Sequence, residues 1–255
     1  MRVGGRSLSM WGREIGHPRN YRALWAAIRL TPAPLRNVWR YLTASGTYPY
    51  SPAVRTPTGI VAPRLDSFHD MMTFNEIFLR EDYLLPEQAR TVVDLGSNRG
   101  ISALYFLTRN RDVRVWLYEP VPANLERLRA NLAGFEDRYR LHDVAVGTQS
   151  GSISFNVEPT GRYGGIGVAT EEAITVVCKD INTVVAAVLA TEPHIDLLKI
   201  DIEGLEMEVV EAIDPTYLPR IHAICFEWEA PDLQPLNEFY DSTFFNETYR
   251  LTLRT

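Results

Sequence analysis

The chain of 255 residues carries a net charge of −6 and 45% hydrophobic residues, enough for one α/β domain of ordinary size and an N-terminal extension. The charge is uneven: residues 1–64 hold ten arginines and one acidic residue, whereas residues 65–255 hold 16 basic and 31 acidic residues. The acidic balance of the longer part argues against nucleic acid as a partner. We predict a basic N-terminal helical arm and linker at 1–64 and a main domain at 65–255.

Cysteine usage and hydropathy indicate the compartment. Cys178 and Cys225 lie in apolar, strand-like runs without CxxC spacing, which predicts two buried thiols in a reducing compartment rather than a disulfide or a metal pair. The N-terminus has no apolar segment of signal-peptide length, and no apolar run approaches the ~20 residues that span a bilayer. We expect a cytoplasmic protein.

The N-terminal arm alternates arginine with apolar residues at helical spacing. Arg19–Leu30 and Pro34–Thr43 therefore predict two short basic amphipathic helices. These helices could form a cap over an active site, or contact a membrane surface or an anionic lipid-linked substrate. They could equally pack on the main domain or on a second subunit of a homodimer. The Pro-, Thr- and Gly-rich segment Pro52–Pro63 predicts a boundary or a short hairpin.

The segment Phe68–Tyr83 predicts one more helix, since Phe74, Ile77 and Phe78 recur at helical spacing. Asn75 and Glu76 lie on another face of that helix. We expect one of them to contact a ligand at the following sheet, or both to belong to a solvated face.

The motif VVDLGSNRG, Val92–Gly100, joins a predicted buried strand, Thr91–Leu95, to a predicted helix, Ile101–Thr108. Ligands of open α/β sheets bind outside the carboxyl ends of the strands. Glycine suits such a turn because the backbone turns sharply and lets a ligand lie against it. The expected ligand contacts in this turn are Asp94, Gly96, Ser97, Asn98 and Gly100.

The spacing of the motif indicates the kind of ligand. Dinucleotide sites use G-x-G-x-x-G, whereas this chain has D-x-G-x-x-x-G, whose acid repels phosphate and suits a cation. The next predicted strand, Val113–Tyr118, ends in Glu119 and Pro120, where an acid accepts two hydrogen bonds from ribose hydroxyls. The two features together predict a positively charged nucleoside, and S-adenosylmethionine fits.

The chain then continues with a predicted helix, Pro122–Asn131, and a third strand, Arg138–Val146. At the end of that strand we expect Asp143 and Val144 to lie near an adenine ring, with a structural role for His142. Two alternating strands, Ser152–Val157 and Ile174–Cys178, flank the glycine-rich segment GRYGGIG. Within this segment the candidate substrate lid, or plain hairpin tip, comprises Arg162, Tyr163, Gly164 and Gly165.

The motif KIDIEGLE follows a helix capped by Asp180 and a strand, Ile195–Ile200, and leads into a helix that ends at Ile213. Its charged residues are Lys199, Asp201, Glu203 and Glu206. Burying them without partners would cost several kcal/mol, so they pair with each other, with a metal or with a ligand.

A last buried strand, Ile221–Phe226, ends in Glu227, Trp228 and Glu229, and is followed by a predicted helix around Leu236–Tyr240 and a single strand, Tyr249–Leu253. Asp201 and Glu227 end strands that should be neighbours, so either could activate a hydroxyl as a metal-free base or as a ligand of Mg²⁺. His194 and His222 are weaker base candidates. The catalytic candidates are Lys199, Asp201, Glu203 and Glu227, and the metal candidates are Asp201 and Glu227.

Four segments resemble the FkbM-type S-adenosylmethionine-dependent O-methyltransferases: VVDLGSNRG, LYEPVPANLERLRANL, AVGTQSG and LLKIDIEGLEMEVV. The resemblance covers roughly Gly59–Glu229. It implies a class I methyltransferase fold, Rossmann-like, with a mostly parallel twisted sheet, helices on both faces and one antiparallel strand near the end. Two departures are the basic N-terminal 50 residues and a chain that finishes with one strand where such folds have a hairpin.

The resemblance also implies a cofactor site and an acceptor. It implies that the cofactor is bound by Asp94, Gly96, Asn98, Gly100 and Glu119. Our full set of candidate cofactor-binding residues is Glu76, Asp94, Gly96, Ser97, Asn98, Gly100, Ser102, Glu119, Pro120, Asp143, Val144 and Asp201. The expected acceptor is a hydroxyl of a sugar, glycolipid or polyketide-like metabolite. Alternatives are N-methylation of a small amine, an NAD(P)-dependent oxidoreductase and a non-catalytic module that keeps the fold.

Overall fold

The structure is a computed structural model that describes residues 2–3, 6–7, 18–157, 164–165, 172–202, 204–228, 231–246 and 248–254. The chain forms two compact units, Met1–Leu84 and Leu85–Thr255. The segment around Phe68 is thus grouped with the N-terminal unit, and the boundary after residue 64 stays a prediction. Across the described residues, no helix combines the length and the apolar character that crossing a bilayer requires.

The N-terminal unit is mainly helical. Its elements in order are β1 (Arg2–Val3), β2 (Arg6–Ser7), α1 (Pro18–Leu30), α2 (Pro34–Thr43), β3 (Val54–Thr56), β4 (Gly59–Val61) and α3 (Phe68–Phe74), which continues as a π-helix, Asn75–Arg80. Both predicted basic helices are present, and β3 and β4 form the short antiparallel hairpin that was one reading of the Pro-rich segment. Ser67 begins α3 with a capping box that includes Asp70.

The C-terminal unit alternates strands and helices. Its elements are β5 (Thr91–Leu95), α4 (Ile101–Leu107), β6 (Arg114–Tyr118), α5 (Pro122–Asn131), β7 (Tyr139–His142), β8 (Ala145–Gly147), β9 (Gly151–Val157), β10 (Gly164–Gly165), β11 (Glu172–Asp180), α6 (Ile181–Leu189), β12 (Leu197–Ile200), α7 (Glu206–Glu211), β13 (Ala223–Glu227), β14 (Tyr240–Phe245) and β15 (Thr248–Leu253). Short 3₁₀ turns occupy Glu136–Arg138, Leu218–Arg220 and Gln234–Leu236.

A seven-stranded sheet in the order β7-β6-β5-β12-β13-β15-β14 forms the centre of this unit. Within this sheet, β7, β6, β5, β12 and β13 are parallel and β15 is antiparallel to β13, as predicted for a class I methyltransferase fold. The inner strands β5 and β12 are buried along their whole length. The sheet therefore brings the carboxyl ends of β5, β6, β12 and β13 to one edge.

A second sheet has the order β10-β9-β11-β8, and its strand β8 comes from a segment that was predicted to be part of one longer strand. The segment Arg138–Val146 is not continuous: β7 belongs to the central sheet, whereas β8 pairs with β11. The main-sheet pairing ends where the Glu119 N–H donates to the His142 carbonyl at 3.1 Å, and Asp143 and Val144 then cross to the second sheet. The predicted alternating strands are β9 and β11, which pair antiparallel.

The end of the chain differs from the prediction in two ways. The predicted helix around Leu236–Tyr240 is a 3₁₀ turn followed by β14, because the Tyr240 hydroxyl is buried and donates to the carbonyls of Leu218 and Ile221. The chain also ends in a hairpin, β14 and β15, rather than in one strand. Strand β14 is exposed beyond its first residue and so lacks the apolar alternation that marks a strand in sequence.

Both cysteines are free and buried, as expected.

Candidate active site

The turn between β5 and α4 lies at the carboxyl edge of the sheet. Three of its residues have positive φ: Gly96 at 77°, Asn98 at 46° and Gly100 at 78°. The backbone N–H groups of Gly96 and Ser97 both donate to the carbonyl of Tyr118, at 3.0 and 3.1 Å, and the Ser97 hydroxyl donates to the Asp94 carbonyl at 2.8 Å. The turn is thereby fastened to the end of β6.

Both glycines of the turn lie close to neighbouring parts of the protein, and the approach is much closer at Gly96. A Cβ on Gly96 would lie 1.8 Å from the backbone oxygen of Asp201, and a Cβ on Gly100 would lie 3.0 Å from the Leu128 side chain. The close neighbour of Gly96 is thus the end of β12, and the approach of a ligand to this glycine stays a prediction. The turn and β12 can pack together only because Gly96 has no side chain.

Asp94 is completely buried and is the centre of a polar cluster. Its Oδ1 accepts a hydrogen bond from Lys199 Nζ at 2.9 Å, and its Oδ2 accepts one from the Ser102 hydroxyl at 2.7 Å. Lys199 Nζ also donates to the Gly96 carbonyl at 3.2 Å. The cation next to this acid is therefore the chain's own lysine, and Ser102 is already bonded to Asp94. Direct contacts of Asp94 and Ser102 with a cofactor stay predictions.

Lys199 is 1% exposed and joins Asp94 to Asp201, whose Oδ2 lies 3.3 Å from Nζ. Burial acts to lower the pKa of Lys199, but the charges of Asp94 and Asp201 and their hydrogen bonds together raise it above its usual value. Lys199 therefore keeps its proton and is a charge partner rather than a proton acceptor. Lys199 and Asp201 thus pair within the protein, and contacts of this motif with a metal or a ligand stay predictions.

Glu119 follows β6 directly and is 4% exposed. Its Oε2 accepts from the Asn98 backbone N–H at 2.9 Å, and its Oε1 accepts from the Val121 N–H at 2.9 Å and from Asn124 Nδ2 at 3.2 Å. Burial raises the pKa of Glu119 to about 7, against the effect of these hydrogen bonds. A carboxylate has about four lone-pair sites, so three protein donors leave about one. That Glu119 accepts hydrogen bonds from ribose hydroxyls stays a prediction.

The predicted adenine contacts lie beside Glu119. Asp143 is exposed and Val144 is 9% exposed, and both follow the residue whose carbonyl bonds Glu119. The His142 ring stacks on Tyr118 with centroids 4.7 Å apart. Burial, then the charges of Lys179 and Arg140, lower the pKa of His142, so this ring is neutral near pH 7.

The acids of the KIDIEGLE motif separate into different roles. Glu206 turns back on its own loop, since its carboxylate accepts from the backbone N–H groups of Ile202 at 3.0 Å and Gly204 at 2.8 Å. Asp201 is partly exposed, with 39% of its side chain accessible. Glu203 and Glu229 lie outside the described residues, as do Arg162 and Tyr163 of the predicted lid. Gly164 and Gly165 form the short strand β10.

The strands that lead to Asp201 and Glu227 are neighbours, as predicted. Strands β12 and β13 pair in parallel with Ile200 opposite Phe226, so the residues that follow them share one edge. Glu227 is exposed there. In the described part of the chain, the one group of three or more potential metal ligands is His194, Asp196 and His222, near the start of these strands. A magnesium role for Asp201 and Glu227 stays a prediction.

The remaining predicted residues have simple positions. Pro120 is half-buried in the turn that begins α5. Glu76 and Asn75 belong to the π-helix of the N-terminal unit, where Glu76 lies 4.0 Å from Arg80 and Asn75 is 5% exposed. The assignment of Glu76 to the cofactor stays a prediction.

Sequence reasoning missed two features of this edge. It placed Asp94 and Lys199 in separate motifs, although they are direct register partners on β5 and β12. It also overlooked Tyr118, whose carbonyl accepts hydrogen bonds from the glycine turn and whose ring stacks on His142. Local motifs carry no signal for the register between these strands. The one usable signal was the single lysine in an apolar strand, since a buried lysine needs an acid as its partner.

Comparison with protein families finds a match to the methyltransferase FkbM domain over residues 94–251. The matched segment runs from Asp94 in β5 into β15, and so includes the whole edge described above.

Three characterised relatives are similar over parts of their length. The AMB antimetabolite synthetase AmbE of Pseudomonas aeruginosa is 24% identical over 60% of this chain and 9% of its own. The hexuronic acid methyltransferase AglP of Haloferax volcanii is 28% identical over 50% of this chain and 51% of its own. The 2-O-methyltransferase NoeI of Sinorhizobium fredii is 34% identical over 29% of this chain and 30% of its own. The chain thus spans about half or less of the length of these relatives.

Among solved structures, the methyltransferase FkbM of Methylobacillus flagellatus aligns with a TM-score of 0.47 at 15% identity, over 95% of this chain and 60% of that one.

Proposed function

The chain belongs to the methyltransferase FkbM family, and from this premise we propose that it transfers a methyl group from S-adenosylmethionine to a hydroxyl of a sugar, a glycolipid or a polyketide-like metabolite. Within that set we favour a sugar hydroxyl. The support comes from the names of two relatives, of which one acts on a hexuronic acid and the other methylates a 2-O position.

The observation that best supports binding of S-adenosylmethionine is the contact between the glycine turn and Glu119. The Asn98 N–H donates to Glu119 Oε2, so the turn and the ribose acid form one rigid corner with about one lone pair left for a ribose hydroxyl. The exposed carboxylate of Asp143 would accept from an adenine amino group, and Val144 would cover the ring. When bound, S-adenosylmethionine supplies an electrophilic methyl group on a positively charged sulfur.

The acids at the ends of β12 and β13 would handle the acceptor. Glu227 is exposed at the carboxyl edge, and we assign it the role of general base for the hydroxyl. Asp201 pairs with the Lys199 ammonium group at 3.3 Å, so we do not assign it the role of base. Asp201 would instead accept a hydrogen bond from the acceptor and orient it, since alignment of nucleophile and methyl group supplies much of the acceleration.

A methyl-transfer assay tests the proposal. The full chain is incubated with radiolabelled S-adenosylmethionine and hexuronic acids, neutral sugars or small amines, and products are identified by mass spectrometry. We expect label on a sugar oxygen, and we expect Glu227→Gln to lower kcat by about 10²–10⁴-fold while S-adenosylhomocysteine affinity is unchanged. Glu238→Gln, at another exposed acid, is the matched control.

Other outcomes of this assay would contradict the proposal. Label on the amines alone would make the chain an N-methyltransferase. Calorimetry that shows binding of NAD(H) in place of S-adenosylhomocysteine would make it an oxidoreductase, and cofactor binding without turnover on any acceptor class would indicate a non-catalytic module.

A further inference from the structure

The N-terminal unit exposes an apolar stripe. On α1, the side chains of Tyr21, Leu24, Trp25 and Ile28 are 59%, 41%, 66% and 57% exposed, and their spacing of three and four residues puts them on one helix face. Among the residues of α1 whose burial is described, 21–30, the buried ones are Ala23 and Ala27, on the opposite face. A helix that turns its small residues inward and its large apolar residues outward has a face suited to another apolar phase.

Helix α2 also exposes large apolar side chains, Leu35 at 85% and Trp39 at 58%, one turn apart. We call these six side chains on α1 and α2 the apolar face. Tryptophan and tyrosine are preferred where an apolar phase meets water, because their rings are apolar and their N–H or O–H groups stay hydrated.

The segment that carries the apolar face is basic, and one of its arginines, Arg22, pairs with Glu81 at 3.7 Å. Residues 15–65 contain seven arginines and no aspartate or glutamate. Arg29 and Arg36 are exposed on the two helices, and the Arg29 guanidinium lies 5.8 Å from the centre of the Trp25 ring. Arginine beside exposed tryptophan is the composition of helices that lie in the plane of anionic membranes.

A cavity opens among the same helices. It has a volume of about 170 Å³ and a mainly apolar lining that includes Tyr21 and Leu24 of α1, Val38 and Leu42 of α2, Met71 and Leu79. Cavities of about 150 Å³ bind apolar groups the size of benzene. Asn75 also lines the cavity, is 5% exposed and has an Nδ2 group without a hydrogen-bond partner among the described residues. A carbonyl group at the head of an acyl chain would supply the acceptor.

We propose that the apolar face docks the protein onto an anionic lipid bilayer, with arginines at the phosphate groups and part of one acyl chain in the cavity. An anionic bilayer matches the face in apolar character and in charge. The inference does not depend on the proposed function, because vesicle binding requires no methyl transfer.

Co-sedimentation of the full chain with vesicles tests the docking surface. We expect binding to vesicles of phosphatidylcholine mixed with phosphatidylglycerol, at least tenfold weaker binding to phosphatidylcholine alone, and further weakening in high salt. The double variant Trp25→Ser/Ile28→Ser should bind at least tenfold more weakly than wild type. Val177→Ser/Phe244→Ser, at side chains that are 55% and 58% exposed in the other unit, should bind like wild type.

Two further measurements separate insertion and dimerisation. Phospholipid with brominated acyl chains should quench the tryptophan fluorescence of wild type more than that of Trp25→Phe/Trp39→Phe, and Val38→Phe should weaken vesicle binding several-fold by filling the cavity. Unchanged binding in Val38→Phe would remove the cavity from the proposal. The docking proposal would be overturned if the Trp25→Ser/Ile28→Ser variant bound vesicles as tightly as wild type. It would also be overturned if wild type were a dimer without vesicles and this variant a monomer, since the apolar face would then bind a second copy of the chain.

An independent cluster lies near the start of β12 and β13. Asp196 Oδ1 is 3.2 Å from His194 Nε2 and 3.3 Å from His222 Nδ1. Its Oδ2 accepts from the backbone N–H groups of Arg90 and Thr91, at 2.7 and 2.9 Å, so the carboxylate is fixed in place. Zinc binds nitrogen and oxygen at about 2.0–2.2 Å, and two donors on a tetrahedron of that size are about 3.3–3.6 Å apart.

We infer that His194, Asp196 and His222 form a divalent transition-metal site with an open fourth position, distinct from the carboxyl edge of the sheet. Titration calorimetry of the full, chelator-treated chain with Zn²⁺ tests this. We expect one ion per chain, at least tenfold weaker binding in His194→Ala and in His222→Ala, and wild-type binding in the control His142→Ala. No saturable binding, or equal binding in both cluster variants and wild type, would show that the contacts are only hydrogen bonds.

Discussion

Two buried acids at the ends of neighbouring strands are stabilised in different ways. Asp94 on β5 faces the Lys199 ammonium group, whereas the carboxylate of Glu119 after β6 is bonded to two backbone N–H groups and one amide. A full opposite charge offsets the desolvation of Asp94, but dipoles offset that of Glu119 only in part, and the pKa of Glu119 is raised to about 7. We conclude that Asp94 anchors the fold, and the contact of Glu119 with a ligand stays part of the proposal.

The largest effect should come from removing the charge partner of Asp94. Lys199→Met leaves a completely buried carboxylate without its cation, and we expect the free energy of unfolding to fall by about 3–5 kcal/mol. Urea denaturation measures this change. Lys179→Met, at the only other lysine of the chain, is the control and should cost less than about 1 kcal/mol.

A double variant separates the effect of losing the lysine side chain from the effect of leaving the Asp94 carboxylate without a partner. Asp94→Asn/Lys199→Met removes both charges and should recover a large part of the lost stability. If the double variant were no more stable than Lys199→Met, the ion pair would not be the anchor.

The next effect concerns the glycine turn that lies between the two acids. Gly96→Ala puts a Cβ against the Asp201 carbonyl, whereas Gly134→Ala has a similar positive φ of 90° and nothing within 4 Å. In both variants the left-handed conformation of the new alanine should lower the free energy of unfolding by about 1–2 kcal/mol. Gly96→Ala should lose at least ~2 kcal/mol more, because the backbone has to move. Equal unfolding midpoints in urea would mean that the turn and β12 are not closely packed.

Features of this edge that depend on neighbouring residues in the sequence were predicted, whereas those that depend on residues far apart in the sequence were not. The strand and turn around Gly96, helix α5 from Pro122 and the helix capped by Asp180 follow from local patterns, and the structure has them where predicted. The pairing of Asp94 with Lys199 depends on a parallel register between strands 105 residues apart, which no local pattern encodes. The break after His142 and the exposed strand β14 were missed for the same reason, since tertiary pairing decided them.

A smaller effect should appear in cofactor binding when Glu119 is neutralised. Glu119→Gln keeps the volume of the side chain but removes the charge, and we expect S-adenosylhomocysteine affinity to fall more than tenfold. Because one amide hydrogen now faces a protein donor, stability should fall by only about 1–3 kcal/mol. Calorimetry measures the affinity, and Glu126→Gln on the exposed side of α5 is the control. Unchanged affinity in a folded Glu119→Gln protein would show that Glu119 is not the ribose acid.

The smallest effect needs no substitution, because the raised pKa of Glu119 makes cofactor binding depend on pH. With a pKa of about 7, Glu119 is mostly ionised at pH 8 and mostly protonated at pH 6. Only the ionised form offers its full set of acceptors to a ribose hydroxyl, so affinity for S-adenosylhomocysteine should fall by up to about tenfold as the pH drops from 8 to 6. Calorimetry at several pH values should therefore give a sloping profile for wild type and a flat one for Glu119→Gln. A slope that survived in the variant would assign the titration to another group and remove the distinction between the two acids.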